Sequence, residues 1–271
     1  MLYLKDLTTG RQRALSPKAV AIGPTRFNAA GTQVFFDVCT SADVARLGWK
    51  AAPCRVYEAP TSGGVPEVMH LPVDNGLLLS DLLGHDKILY GTYQPDRRAH
   101  FEIVDVGGAR RIRFLDDPAR DLWQGTVSKD GQWVTFNATT ASNSQIYIVP
   151  YREALVPVAE WIPVTDGSAW DDKPRFSPDG RMLFFISHRD GFFCIWAQRL
   201  GKDMRPAGKM FTVYHSHQAR RSIENFPFAS LDLEVGPGTI VFSQTALTGN
   251  IWMLDPAGQD NWNQPSRGNP R

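Results

Sequence analysis

Short apolar runs separated by polar, glycine-bearing turns dominate the chain, and few stretches carry the three-to-four-residue spacing of a buried helix face. Only "TSADVARLGWK" (40–50) and "YREALVPVAEW" (151–161) have helical spacing, and both are short. The rest reads as strands, and the strands repeat. "RFNAAGTQVFF" (26–36), "TVSKDGQWVTF" (126–136) and "RFSPDGRMLFF" (175–185) align on Gly31, Gly131 and Gly180. Their spacing implies a unit of about fifty residues. "LLLSDLLGHDKILYGTY" (77–93) and "PFASLDLEVGPGTIVFSQ" (227–244) keep the same shape without the Asp-Gly turn.

Each copy continues alike. After the apolar run and a loop comes a strand with an aromatic or branched centre: "CRVYEAP" (54–60), "HFEIVDV" (100–106), "QIYIVPY" (145–151), "CIWAQRL" (194–200) and "NIWMLDP" (250–256). A more polar strand follows in "VPEVMHL", "ARRIRFL", "EWIPVTD" and "KMFTVYH". Four antiparallel strands per unit make a propeller blade. The expected fold is therefore an all-β propeller of about five four-stranded antiparallel blades, with partial strands at the ends. The second strand of each unit is almost continuously apolar because neighbouring blades cover both of its faces. Asp-Gly supplies the positive φ of a tight hairpin turn. A β-sandwich with coincidental Asp-Gly hairpins is the competing reading, and three in-frame copies weigh against it.

"RFSPDGRMLFFISHRDGFFCIW" resembles the TolB-type, tryptophan–aspartate-like propeller repeat, in which an aromatic residue precedes Ser-Pro-Asp-Gly and an apolar strand. Residues 175–180 match it letter for letter, "VSKDG" (127–131) is a close variant, and the other copies depart from it. "GNIWMLD" (249–255) resembles the last blade of C-terminal propellers of bacterial multidomain regulators, such as serine/threonine kinases and winged-helix transcription factors. These resemblances imply protein partners and a periplasmic or other extracytoplasmic location.

"LYLKDL" (2–7) aligns with the third strands, so both ends of the chain offer one. Either five blades close with one third strand displaced, or the chain is the C-terminal part of a longer propeller. The second option also accounts for a start in mid-blade without a signal peptide. Residues 1–256 are expected to form one propeller domain, acting as a monomeric module of a larger protein, and the polar, Gly/Pro-rich 257–271 a disordered tail.

Composition narrows the partners. The net charge of +1 gives no reason to expect a nucleic-acid partner. No apolar run approaches the roughly eighteen residues of a membrane span. There is no G-x-S-x-G elbow, phosphate-binding loop or H-E-x-x-H motif, which points away from an enzyme.

Candidate chemistry is sparse. Cys39 and Cys54 flank a long loop at adjacent strand ends, where they form either a disulfide or two buried thiols. Inner strands begin with Asp121, Asp171–Asp172 and Glu224–Asn225. Asp121, Asp172 and Glu224 could ring one mouth of the channel and hold a polar ligand or a calcium ion. They could also act as a glycosidase acid/base pair, or satisfy backbone N–H groups where each strand starts. His215 and His217 lie on one face of an extended segment, but no third ligand stands near them in sequence, so no metal site is expected. Arginine clusters at 97–98, 110–113 and 220–221 could meet an acidic partner or simply protect exposed strand edges. The reading adopted is a non-catalytic interaction or ligand-sensing propeller whose 39–54 loop, carrying Trp49 with Arg46 nearby, contacts a protein partner. The alternatives are a propeller glycosidase and the accessory propeller of a serine peptidase.

Overall fold

The computed structural model describes residues 2–16, 20–47, 52, 54–71, 77–94, 97–218, 221–223, 231–246 and 248. Strands β1 (Tyr3–Lys5) and β2 (Gln12–Ala14) form a hairpin. The first four-stranded antiparallel sheet contains β3 (Val20–Phe27), β4 (Gln33–Thr40), β5 (Cys54–Pro60) and β6 (Glu67–Val68), with helix α1 (Ser41–Leu47) between β4 and β5. The second contains β7 (Leu77–Leu83), β8 (Lys87–Gln94), β9 (Arg97–Asp105) and β10 (Arg111–Leu115). The third contains β11 (Asp121–Val127), β12 (Trp133–Thr139), β13 (Ser144–Pro150) and β14 (Ile162–Pro163), and the fourth β15 (Asp171–Phe176), β16 (Met182–Ser187), β17 (Cys194–Arg199) and β18 (Phe211–Tyr214). Two short pairs follow: β19 (Arg221–Ser222) with β22 (Thr245–Ala246), and β20 (Leu233–Gly236) with β21 (Thr239–Phe242). The strand expected at 250–256 and the tail at 257–271 lie outside the described residues.

Within each four-stranded sheet the strands are neighbours in chain order, as the repeat predicts. The core lies between sheets. Phe35, Val56 and Met69 of the first sheet meet Leu79, Ile88 and Tyr90 of the second. Phe101 and Phe114 of the second meet Phe136 and Trp161 of the third. Ile146 and Ile148 of the third meet Leu183 and Phe185 of the fourth, whose Ile186 and Ile195 meet Leu231 and Leu233. Leu2, Leu4 and Leu15 of the β1–β2 segment cover the remaining face of the first sheet, against Val34 and Phe36. This face-to-face stacking is why the second strands are apolar on both sides.

The turn chemistry is repeated in detail. Ser128 Oγ donates to Asp130 and accepts the N–H of Trp133, while Asp130 accepts the N–H of Gln132. Ser177, Asp179, Arg181 and Met182 repeat this network. In the first sheet, which lacks the Ser and Asp, Asn28 Oδ1 alone accepts from Thr32 and Gln33. Gly31, Gly131 and Gly180 all have φ between 67° and 72°. Helical spacing at 151–161 gives only a 3-10 turn at Val158–Glu160. The two buried residues of the 151–161 segment, Val156 and Trp161, are five apart and plug the second-to-third sheet interface, while Leu155 and Val158 stay exposed.

One feature of the inner strands is absent from any motif. The pairing of β3, β7, β11 and β15 to its neighbour slips at the same place: Ile22/Thr25, Leu79/Asp81, Trp123/Thr126 and Asp172/Arg175. These β-bulges twist each inner strand and re-aim its side chains. Pro24 and Pro174, which have no N–H to donate to a ladder, occupy two of them. Gly125 occupies another, and a Cβ there would lie 2.9 Å from both Leu89 Cδ2 and Phe101 Cε1. Gly125→Ala should therefore lower the unfolding free energy by about 1–3 kcal/mol through overpacking. Chemical denaturation reads the change, and an unaltered midpoint would show that the second and third sheets are not packed this closely.

Candidate functional site

Inner strands β3, β7, β11, β15 and β20 run side by side, each against the next. Where they converge the side chains are charged. Arg26 on β3 donates through Nε to the Ser80 carbonyl at 2.9 Å and lies 3.5 Å from Glu234. Arg175, at the equivalent repeat position on β15, donates to Asp232 at 2.7 Å and to Glu234 at 3.1 Å. Both arginines are buried, whereas the side chains of Asp232 and Glu234 are 46% and 55% exposed. The two carboxylates are thus half open to solvent, with buried cations behind them. Burial tends to raise the Asp232 pKa, but Arg175 and Arg26 overcome it and hold the group below the usual carboxylate range. Burial dominates for Lys173, on the adjoining bulge, and lowers its pKa.

Further aspartates join one sheet to the next. Asp37 on β4 accepts the Leu79 N–H of β7 at 2.7 Å, and Asp81 on β7 accepts the Val127 N–H of β11 at 2.8 Å. Thr126 Oγ1 donates to the Pro174 carbonyl at 3.0 Å. Burial raises the Asp81 pKa despite Arg26 and the Val127 and Leu82 N–H groups.

The acids singled out in the sequence are placed differently. Asp121 accepts the Ala99 N–H at 2.8 Å and lies 3.4 Å from Arg98, so it fastens β11 to β9. Asp172 is buried and accepts the Lys173 N–H at 2.6 Å. Its pKa is raised, first by burial. Asp171 pairs with Arg189 at 2.8 Å. These side chains serve local structure, and the half-open carboxylates are Asp232 and Glu234, which no repeat motif marks. Glu224 lies outside the described residues. The arginine cluster at 110–113 finds partners within the chain: Arg110 meets Glu153, Arg111 meets Glu102, and Arg113 meets Asp116.

At the rim, Cys39 and Cys54 face each other across β4 and β5 and are disulfide-bonded. Helix α1 buries none of its residues. It is held by Thr40, whose Oγ1 accepts the Asp43 N–H at 3.1 Å in an N-capping arrangement, and by the bridge at the base of its loop. Arg46 is exposed and pairs with Asp43 at 3.0 Å, while Trp49 lies outside the described residues. Beside the loop is a cleft of about 330 Å³ lined by Cys54, Val56, Met69, His70 and Tyr90. The expectation that His215 and His217 lack further ligands needs correction, because the fold sets Asp190 and Cys194 against them. Those two come from the β16–β17 hairpin, which the antiparallel pairing of β17 with β18 brings to the histidines. Among the described residues no helix is long and apolar enough to cross a membrane.

Among solved structures the chain is similar to TolB from Acinetobacter baumannii, with a TM-score of 0.54 and 17% identity over 77% of this chain and 49% of TolB. It is also similar to an oligogalacturonate lyase in complex with manganese (TM-score 0.55, 12% identity, 90% of this chain and 70% of the lyase). A third is tricorn protease (TM-score 0.54, 14% identity, 89% of this chain and 22% of the protease). The chain thus spans about half the length of TolB and under a quarter of tricorn protease. No protein-family model and no curated protein sequence matches it. At these identities the likeness establishes the fold, which is of the β-propeller type. Two of the three are named as enzymes, so the fold assigns no activity.

The buried acid Asp37 gives a pH signature. Burial raises its pKa to about 8, offset only in part by the Leu79 N–H and Arg26. An unfolded aspartate titrates near 3.9, so the folded chain holds a proton that the unfolded chain releases. The contribution of this group to stability is full below about pH 4 and is lost as pH rises through about 8. Asp37→Asn keeps an acceptor for Leu79 and should remove that decline, with the variant gaining on the wild type between about pH 4 and 8 in urea unfolding. Parallel pH profiles for the two proteins would refute it.

Proposed function

We propose that this chain is a non-catalytic β-propeller module that presents its loops to a protein partner, with the disulfide-clamped 39–54 segment as the contact. The observation that carries this reading is α1, a helix that buries no residue and is fixed in place by a cap and a disulfide. A helix with no core role, capped at its start and tethered by a disulfide, suits recognition, because pre-organisation reduces the entropy lost on binding. Disulfides persist in oxidising compartments, which fits the extracytoplasmic location implied by the TolB-type resemblance. The finer resemblance, to C-terminal propellers of bacterial regulators, rests on "GNIWMLD", which lies outside the described residues.

In this reading the sheets close into a ring of about five blades, with Arg26 of the first sheet and Glu234 of the β20–β21 hairpin as the clasp. The chain acts as one module of a larger protein. A glycosidase reading needs a pair of open carboxylates, one protonated and one ionised. The acids with raised pKa (Asp37, Asp81, Asp171, Asp172) are buried in structural bonds, and Asp232 is held ionised by two arginines. That division speaks for a scaffold.

The double substitution Arg46→Glu with Leu47→Asp alters only exposed positions of α1. It should leave the circular dichroism spectrum and melting temperature unchanged while abolishing cross-linked capture of protein partners from an extracytoplasmic extract. Capture identical to wild type would remove α1 as the contact. Turnover of an oligogalacturonate or a peptide by the purified chain would overturn the non-catalytic reading.

A further inference from the structure

We infer that Asp190, Cys194, His215 and His217 form a zinc site that ties the β16–β17 hairpin to the segment leaving β18. One ligand atom from each residue lies within 4.8 Å of the other three. His217 Nε2 is 3.1 Å from Asp190 Oδ2, His215 Nδ1 is 3.4 Å from the same oxygen, and the two ring nitrogens are 3.4 Å apart. Cys194 Sγ lies 4.0 Å from His215 Nδ1. A tetrahedral zinc with bonds of about 2.0–2.3 Å has ligand-to-ligand edges of about 3.3–3.8 Å. These four edges bracket that range and the other two stay within 4.8 Å, so closing around an ion requires the sulfur side of the cluster to move inward by roughly 1 Å.

Hydrogen bonding alone explains this convergence poorly. Two imidazole nitrogens aim at one carboxylate oxygen and at each other, and each neutral ring carries a single N–H. A cation at the centre satisfies all four atoms at once. The donor set selects the metal. One thiolate, two imidazoles and one carboxylate oxygen suit zinc, whereas calcium and magnesium require oxygen ligands. Four protein ligands close the coordination sphere, which is the arrangement of structural zinc.

The surroundings fit a built site. Cys194 is fully buried, and its sulfur accepts the Ser216 N–H at 3.3 Å, a bond that stabilises the thiolate formed when zinc displaces the thiol proton. Phe192 lies over the His217 ring with centroids 4.6 Å apart and orients it. The ligands come from both ends of a connection: Asp190 and Cys194 bracket the hairpin into β17, and His215 and His217 follow β18 on the way to β19. Zinc would anchor this stretch of chain against the fourth sheet.

The test uses the full chain, purified, stripped with a chelator and titrated with zinc chloride by calorimetry. One zinc per chain should bind and raise the melting temperature. His215→Ala and His217→Ala change exposed residues, so they should fold, lose the one-to-one binding and lose the zinc-dependent rise. His85→Ala, an exposed histidine elsewhere, should behave as wild type. Substituted cobalt should show intense tetrahedral d–d bands and a thiolate-to-cobalt charge-transfer band, and the latter should vanish in Cys194→Ser. Sub-stoichiometric binding, a six-coordinate cobalt spectrum without the thiolate band, or binding insensitive to the two histidine changes would each overturn the assignment.

Discussion

Sheets stacked face to face in succession crowd together at their inner strands. Apolar side chains fill the wedge between one sheet and the next, but at its narrow edge the backbone itself comes into contact. Polar groups buried there need partners. Side chains that cross from sheet to sheet supply them: Asp37 to Leu79, Asp81 to Val127, Thr126 to Pro174 and Arg26 to Ser80. The bulge that recurs in the four inner strands makes this reach feasible, since it re-aims side chains that a regular pleat would point into the wedge. The position of each sheet relative to the next, and hence of every loop on the rim, follows from these contacts.

The same requirement shapes where charge is found. Asp121, Asp171 and Asp172, which a linear reading places at a channel mouth, are drawn into bonds with backbone N–H groups or arginines. The acids left half open, Asp232 and Glu234, are balanced by Arg26 and Arg175. Polar chemistry at the centre therefore holds the architecture, and features capable of recognition move outward, to α1 and to the end of the fourth sheet. The outward loops are free to vary because the inner edge carries the structural load.

Strand order, turn positions and the meeting of Cys39 with Cys54 were legible in the sequence because each depends on local spacing, apolar alternation or the ends of one hairpin. The central charges were not. Arg26 and Arg175 hold equivalent repeat positions, but their acidic partners lie at the start of β20 and just before it, in a degenerate copy without the turn motif, so no letter flags them. The metal quartet was half visible as "YHSHQ". Antiparallel pairing of "CIWAQRL" with "KMFTVYH" sets Cys194 near His215, so applying strand register to the last two strands of the unit would have found the third ligand. The apolar residues at 151–161 misled because two of them plug a gap between sheets instead of lining one face of a helix.

At the first-sheet turn, Asn28 does alone what a serine and an aspartate do together in the third and fourth sheets. What the hairpin demands is an acceptor at a given point in space, and more than one set of letters provides it. Copies of such a unit can drift apart through a succession of near-neutral exchanges, each keeping the bond while erasing the text. A chain built this way can retain its architecture long after its repeats, and its kinship with other chains, have ceased to be readable by spelling.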